Sequence, residues 1–263
     1  MHNYSKIRVG VAGVTGYSGV ELMRRLARHP GVNVRLAMAS AGSDAKRIPA
    51  LARIWDAPVE PLDVEKLSIE TDAVFLALPD SVSATLAPQL TARGLRVFDI
   101  SGAFRLRDTD LRRKWYPHSP ANGNASYGLP EHYRDELRNA QLVACAGCYP
   151  TAAILSLRPL VHAGLLEPGI VIDAKSGVSG AGKTPSERTH FSEVHGSMAA
   201  YGVFAHRHAA EIEQELGIEV TFVPHLVPID RGILETIYAR VRPGVGAAEV
   251  EAALTAAYRD APF

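Results

Sequence analysis

The strongest constraint on this chain is a set of glycines spaced three apart between an apolar run and a helix-like run. Gly10, Gly13, Gly16 and Gly19 run on from the end of Ile7 to Ala12, a stretch that reads as a strand ending in glycines. After them Val20, Leu22, Met23 and Leu26 mark one helix face, with Glu21, Arg24, Arg25 and Arg28 opposite, and Pro30-Gly31 ends the pattern. Glycines at a strand-to-helix junction let the backbone turn tightly, approach a pyrophosphate closely, and seat it on the helix N-terminus. The spacing is G-x-x-G-x-x-G, not the usual G-x-G-x-x-G, so a turn that binds nothing stays open as the alternative. On the nucleotide reading, Gly10, Gly13, Thr15, Gly16, Tyr17, Ser18 and Gly19 are the candidate cofactor contacts.

The pattern continues through the first half. Val32 to Met38 alternates as a strand, and Ala73 to Leu78 is a continuous apolar run suited to a strand covered on both faces. Ser81 to Arg93 follows as a helix, Leu95 to Ile100 as a strand, Leu111 to Tyr116 and Glu131 to Arg138 as short helices, and Leu142 to Cys145 as a strand. Such alternation argues for a parallel, doubly wound α/β sheet. The second strand ends in Ala39-Ser40, with Lys46 and Arg47 soon after and Asp44 the one acid close by. An NAD site usually offers an acid there for the ribose. Ser40 and Lys46 suit the 2′-phosphate of NADP instead, unless Lys46 and Arg47 are simply a solvated pair.

Past residue 147 the grammar changes to α+β. Ala152 to Ala163 reads as a helix, Ile170 to Ala174 as a strand, Glu211 to Leu216 as part of a helix, Val220 to Val223 and Ile233 to Val241 as strands, and Ala247 to Tyr258 as a helix. Two domains are expected, residues 1–147 and 148–263. Equal numbers of basic and acidic residues, 28 each, give no basic face for nucleic acid. Apolar runs are too short for a membrane span, and Met1 to Arg8 lacks the apolar core of a signal peptide. Two cysteines exclude a disulfide framework and are too few for a structural zinc site unless histidines join them, so a cytoplasmic protein without a metal is expected.

One of those cysteines carries the chemistry. Cys148 lies in Gly147-Cys148-Tyr149-Pro150-Thr151, between the strand-like Leu142 to Ala144 and the helix-like run from Ala152. A thiol at a helix N-terminus ionises more easily, and the thiolate is the nucleophile. The alternative is a small residue packed under a turn. Cys145 makes a C-x-x-C spacing, read here as incidental to redox chemistry. His206-Arg207-His208 opens another helix, with Glu211 one turn from His208 on the same face. A histidine there is biased toward its neutral form and can relay a proton, and Glu211 can fix its tautomer. His225, between Pro224 and Pro228, reads as structural or substrate-lining. Arg105, four residues past Ser101 at the end of a parallel strand, is placed to hold a phosphate bidentately. Ser176 and Gly177 begin a glycine-rich loop that either lies beside the thiol or nicotinamide or is a plain loop.

Taken together, Gly13 to Gly19, Phe75 to Pro79, Tyr127 to Glu131, Gly147 to Thr151, Lys175 to Lys183, His206 to His208 and Pro224 to Pro228 resemble the N-acetyl-γ-glutamyl-phosphate reductase family, within the aspartate-semialdehyde dehydrogenase-like group. The resemblance runs along essentially the whole chain. It implies a Rossmann-like NADP-binding domain and an α+β catalytic and dimerisation domain with a largely antiparallel sheet. It also implies an NADPH-dependent reductive dephosphorylation of an acyl phosphate in arginine biosynthesis, with Cys148 as nucleophile and His208 as acid/base. Ser101, Arg105, His206, Arg207 and Glu211 fall among the implied substrate contacts, Ser176 and Gly177 among the cofactor contacts. A homodimer or homotetramer is implied. The related readings are a lysine-pathway reductase of carrier-linked aminoadipyl phosphate and a non-catalytic NADP-binding protein. Cys145-Ala146 and Asp80 depart from the family's usual Asn-Pro and histidine. Relatives continue several dozen residues past the position of Phe263, so a fragment with weakened NADPH binding is expected.

Overall fold

A computed structural model describes residues 6–40, 47–120, 125–261 and 263. They divide into two compact units. The first comprises residues up to Gly128 together with Asp135–Cys145; the second comprises Leu129–Arg134 and everything from Ala146 onward.

In the first unit the strands are β1 (Ile7–Ala12), β2 (Val32–Ala39), β3 (Glu60–Pro61), β4 (Ala73–Leu76), β5 (Arg96–Asp99), β6 (Ser126–Gly128) and β7 (Leu142–Cys145). All six pairings are parallel, in the order β3-β2-β1-β4-β5-β7-β6. The order reverses direction between β1 and β4, the switch point at which open α/β sheets bind ligands. Helices cover both faces. Val20, Met23 and Leu26 of α1 (Tyr17–Leu26) pack with Val9, Val11 and Ala37. On the other face, Leu67 of α2 (Val64–Glu70) and Leu86 and Leu90 of α3 (Asp80–Ala92) pack with Met38, Leu76 and Val97. The apolar runs of β4 and β7 thus reflect burial on two sides. α4 (Thr109–Trp115) is capped by Asp108, whose carboxylate accepts from Asp110 and Leu111 N–H. α5 (Pro130–Asn139) is interrupted at Tyr133, with φ −125° and ψ 24°.

In the second unit α6 (Cys148–His162) and α8 (Arg207–Leu216) pack on one face of a sheet made of β8 (Ile170–Gly177), β9 (Ala199–Ala200), β10 (Val220–Val227) and β11 (Ile233–Tyr238). Its order is β11-β8-β10-β9. The two outer pairings are antiparallel, as the family resemblance implies, but the central β8–β10 pair is parallel over its full length. Tyr149, Ala153 and Leu157 of α6 and Ile212 and Leu216 of α8 bury Ile170, Ile172, Ala174 and Phe222. The opposite face carries Val171, Asp173 and Lys175 on β8, Val223 and His225 on β10, and Leu234, Thr236 and Tyr238 on β11. α7 (Phe191–Val194) is a single turn, and α9 (Ala247–Tyr258) packs on α6.

Proline explains one contact of α9. Pro159, inside α6, has no N–H for the carbonyl four residues back, that of Leu155. The Tyr258 hydroxyl donates to that carbonyl at 2.6 Å and lies 3.2 Å from His132 Nε2. With its proton committed to Leu155, the hydroxyl accepts from an Nε2–H. Burial, assisted by Arg158 and His162, lowers the His132 pKa to about 4. Among the described residues no helix is long and apolar enough to cross a membrane.

Candidate active site

In the first unit the glycines do different jobs. Gly13 has φ +94°, and a Cβ there would lie 2.1 Å from the Ala77 carbonyl oxygen. Its N–H and that of Val14 donate to Met38 O at 2.8 and 3.2 Å, fixing the turn beyond β1. A Cβ on Gly19 would meet Gly13 O at 2.2 Å, so Gly19 lets α1 press against the turn. Gly16 is the N-cap of α1, and a Cβ added there would have its nearest neighbour 3.7 Å away. The first turn of α1 carries no acid. Thr15 is half-buried; Tyr17 and Ser18 are exposed. This backbone fits a pyrophosphate resting on the helix N-terminus. Gly10 is a correction: it lies inside β1, where a Cβ would come within 2.5 Å of Leu67 Cδ2 and 3.2 Å of Thr71 Cγ2. It makes room for α2 rather than for a phosphate. Ser40 and Arg47 are exposed, and Lys46 lies outside the described residues.

The loop after β5 also departs from expectation. Ser101 Oγ donates to Asp99 Oδ2 at 2.7 Å and accepts from Ala103 N–H at 3.1 Å. Arg105 is 7% exposed, and donates from Nε to Cys145 O at 2.8 Å and from Nη2 to Ile100 O at 2.7 Å. Expected as substrate contacts, Ser101 instead ties the end of β5 to the loop after it, and Arg105 joins the start of that loop to the end of β7. Asp80 accepts from Gly102 N–H at 2.9 Å at the start of α3. Burial pushes the Cys145 thiol up to about 11, leaving it protonated and unreactive.

The second unit assembles the thiol and the histidines. Cys148 is exposed and is the first residue of α6, after an extended Gly147 N-cap with φ −64° and ψ 158°. Thr151 donates to Gly147 O from its N–H at 2.9 Å and from its hydroxyl at 2.7 Å. No acid sits in the first turn, so no carboxylate of that turn offsets the positive end of the helix dipole at the sulfur. Gly147 N–H donates to Glu211 Oε1 at 2.8 Å. Glu211 is 0% exposed, so it is no substrate contact, contrary to expectation; it ties the thiol's turn to α8.

α8 begins where the sequence places its histidines. His206 is its N-cap, and Nδ1 accepts from His208 N–H at 3.1 Å. The His206 pKa falls to about 4, through burial first and the Arg207 charge second. His206, expected as a substrate contact, is half-buried and uses Nδ1 as the cap of α8. Arg207 is exposed, and His208 is buried on the first turn. Tyr149 is 2% exposed, with its ring edge-on to His206, His208 and Phe222. Its hydroxyl lies 3.1 Å from that of Tyr201. Burial and this contact push its pKa upward, so it stays a neutral wall residue.

Ser176 and Gly177, expected near the cofactor, are buried at the end of β8. Ser176 Oγ donates to Gly177 O at 3.0 Å, and Gly177 N–H donates to Gly232 O at 3.0 Å. His225 lies on the open sheet face, with Nδ1 3.3 Å from Asp173 Oδ1. Sequence reasoning missed Tyr149 and Tyr201, whose only signal was the adjacency of Tyr149 to the thiol.

Two family models match. A semialdehyde dehydrogenase NAD-binding domain covers residues 8–140, and a semialdehyde dehydrogenase dimerisation domain covers residues 148–263. An N-acetyl-gamma-glutamyl-phosphate reductase of Desulforudis audaxviator is 46% identical over 271 residues, spanning 98% of this chain and 78% of that protein. The Synechocystis protein of the same name is 41% identical over 273 residues, with the same coverage. A probable aspartate-semialdehyde dehydrogenase structure from Pseudomonas aeruginosa matches with TM-score 0.71 at 21% identity, over 96% of this chain and 79% of that one. An aspartate semialdehyde dehydrogenase structure with NADP from Candida albicans matches with TM-score 0.70 at 17% identity, over 95% and 76%. At those identities the structures show the fold alone, while the sequence relatives reach further. With a doubly wound unit, an exposed thiol opening a helix and a histidine-bearing helix tied to that thiol's turn, the chain belongs to the N-acetyl-gamma-glutamyl-phosphate reductase family of semialdehyde dehydrogenase-like proteins.

Proposed function

We propose that this protein reduces N-acetyl-γ-glutamyl phosphate to N-acetylglutamate 5-semialdehyde with NADPH, as a step of arginine biosynthesis in the cytoplasm. The observation that carries this reading is the exposed Cys148 at the start of α6, its turn held through Gly147 by the helix that bears His208.

Cys148 thiolate attacks the acyl carbon, the bond from that carbon to the phosphate oxygen breaks, and inorganic phosphate leaves. The product is a thioester, which accepts hydride more readily than a carboxylate. Backbone N–H groups at the start of α6 stabilise the negative oxygen that forms on the acyl carbon. NADPH would be held by Gly13, Thr15, Gly16, Tyr17, Ser18 and Gly19, with Ser40 and Lys46 assigned to its 2′-phosphate, and would supply that hydride when bound. His208 delivers a proton to the oxygen of the sulfur-bound carbon, then removes it as the carbon–sulfur bond breaks and the aldehyde leaves. Arg207, exposed beside it, offers a cation to the substrate carboxylate. Cys148→Ala is expected to abolish turnover of semialdehyde, phosphate and NADP in the reverse assay while NADPH still binds by fluorescence titration; retained turnover would remove Cys148 from the chemistry.

A homodimer or homotetramer built on the second unit accompanies this reading. Leu234 and Tyr238, 66% and 59% exposed, stand on the open sheet face beside Val171 and Val223. That face mixes these apolar side chains with Asp173, Lys175, His225 and Thr236, and its exposed Leu234 and Tyr238 are side chains of the kind a second copy buries. Leu234→Asp should shift the chain toward monomer in sedimentation velocity, and an unchanged sedimentation coefficient counts against this surface.

A further inference from the structure

We propose that His206 is a positioning residue for the acid/base His208: an uncharged imidazole that caps α8 and sets where the next turn's side chains fall. The proposal rests on the reading of His208 given above.

N-caps are usually Ser, Thr, Asp or Asn, whose oxygens accept from the first helical N–H groups. An imidazole does this only through an unprotonated nitrogen. In this protein the nitrogen is Nδ1, which takes the His208 N–H at 3.1 Å. The ring must then be the Nε2–H tautomer, because a proton on Nδ1 would face a donor. Aromatic rings hold it in that pose: Tyr149 of α6 at 5.9 Å, Tyr201 beside β9 at 5.5 Å, Phe222 of β10 at 5.4 Å and His208 at 4.8 Å between centroids.

The charges around the ring act in the same direction. The titratable groups facing it are Tyr149 from α6, Tyr201 from the segment before α8, and Arg207 and His208 from α8 itself; Phe222 contributes none. Tyr149 and Tyr201 are both kept neutral by burial, and Arg207 opposes a second positive charge. Protonation of His206 would remove the cap and repel the adjacent N–H. The first turn of α8 would then fray, and His208 with it, since terminal N–H groups otherwise have no partner within the helix. The neutral ring thus supports the histidine two residues on through the backbone of the first turn.

The first test needs no turnover. In the full chain labelled with 15N-histidine, His206 should show an unprotonated Nδ1 and a protonated Nε2, and should stay neutral at pH 5.5. A ring with its proton on Nδ1, or one that titrates near pH 6.5, overturns the proposal. The second test compares His206→Ala with His206→Asn in the reverse assay. Alanine should lower kcat by roughly ten-fold with KM little changed, a fraction of the full acid–base contribution. Asparagine, itself a good cap, should return kcat to within about three-fold of the parent. Iodoacetamide should alkylate Cys148 at the same rate in all three, which separates loss of His208 placement from loss of the thiol. No loss in the alanine variant, or equal loss in both variants, overturns the proposal. If the parent chain itself fails to turn over, the functional reading falls, and the labelled ring still decides the cap.

Discussion

Glu211 keeps a carboxyl group wholly out of water and accepts there from the backbone N–H of Gly147. Removing the acceptor leaves a buried donor without its partner, which costs about 1–3 kcal/mol. Glu211→Ala should therefore lower the urea midpoint and slow both turnover and iodoacetamide labelling of Cys148. Glu211→Gln, which still offers an oxygen, should lose much less; equal losses would show that the hydrogen bond is not what matters. The sequence shows His208 and Glu211 one turn apart, which invites pairing them with each other. The Gly147 N–H that Glu211 holds lies 64 positions earlier in the chain, a distance no local pattern spans. Arg105 is a separate case: a guanidinium at a strand end looks like a phosphate clamp until its carbonyl partners are seen.

At the level of elements, the glycine turn separates positions needed for the fold from those needed for the ligand. Gly16 has room for a methyl group, with the nearest atom 3.7 Å away, at the helix end proposed to face the pyrophosphate. Gly16→Ala should fold within about 0.5 kcal/mol of the parent. It should also bind NADPH at least roughly ten-fold more weakly, because the methyl occupies the space of phosphate approach. Gly10→Ala should do the reverse, costing about 1–3 kcal/mol by crowding Leu67 and Thr71 while leaving NADPH affinity nearly unchanged. Thermal unfolding and fluorescence titration on both variants read the two effects separately, and matched affinity losses would return Gly10 to the cofactor site. Periodicity located the longer elements because burial on two faces or one stripe writes itself into composition. It passed over the two-residue strands β3 and β9, three-residue β6 and short α2, which are too brief to show a period. α2 is held by its Asp63 cap and by the slot that Gly10 opens.

For the whole molecule, three half-buried groups of the second unit set opposing pH dependences. Both oxygens of Glu235, on β11, are buried without a hydrogen-bond partner among the described residues, and burial raises its pKa to about 8. Between the ordinary carboxylate range and pH 8 the native state holds a proton that the unfolded chain has released, so stability falls as pH rises. His132 and His206 act oppositely. Their pKa values are lowered from 6.5 to about 4, so in that window the unfolded chain binds protons the native state refuses, and stability falls as pH drops. Taken alone, these three groups place the stability maximum near pH 6.5, the ordinary histidine value below which the imidazole penalty begins. Glu235→Gln mimics the protonated acid and should flatten the decline from pH 6.5 to 8 in urea unfolding; an undiminished decline would clear Glu235 of responsibility. The two-unit plan was legible because strand and helix signals alternate in one half and not in the other. The parallel β8–β10 pair was not, since parallel neighbours need a long crossover and leave no turn signature between them. That crossover has a consequence for how the protein is made. Residues 178–219, which include α8 and its imidazoles, form the connection itself, so β8 gains its central neighbour only after all of them have been synthesised. The sulfur therefore leaves the ribosome sixty positions ahead of the imidazole proposed to serve it, and the two can meet only after that stretch of crossover has been made.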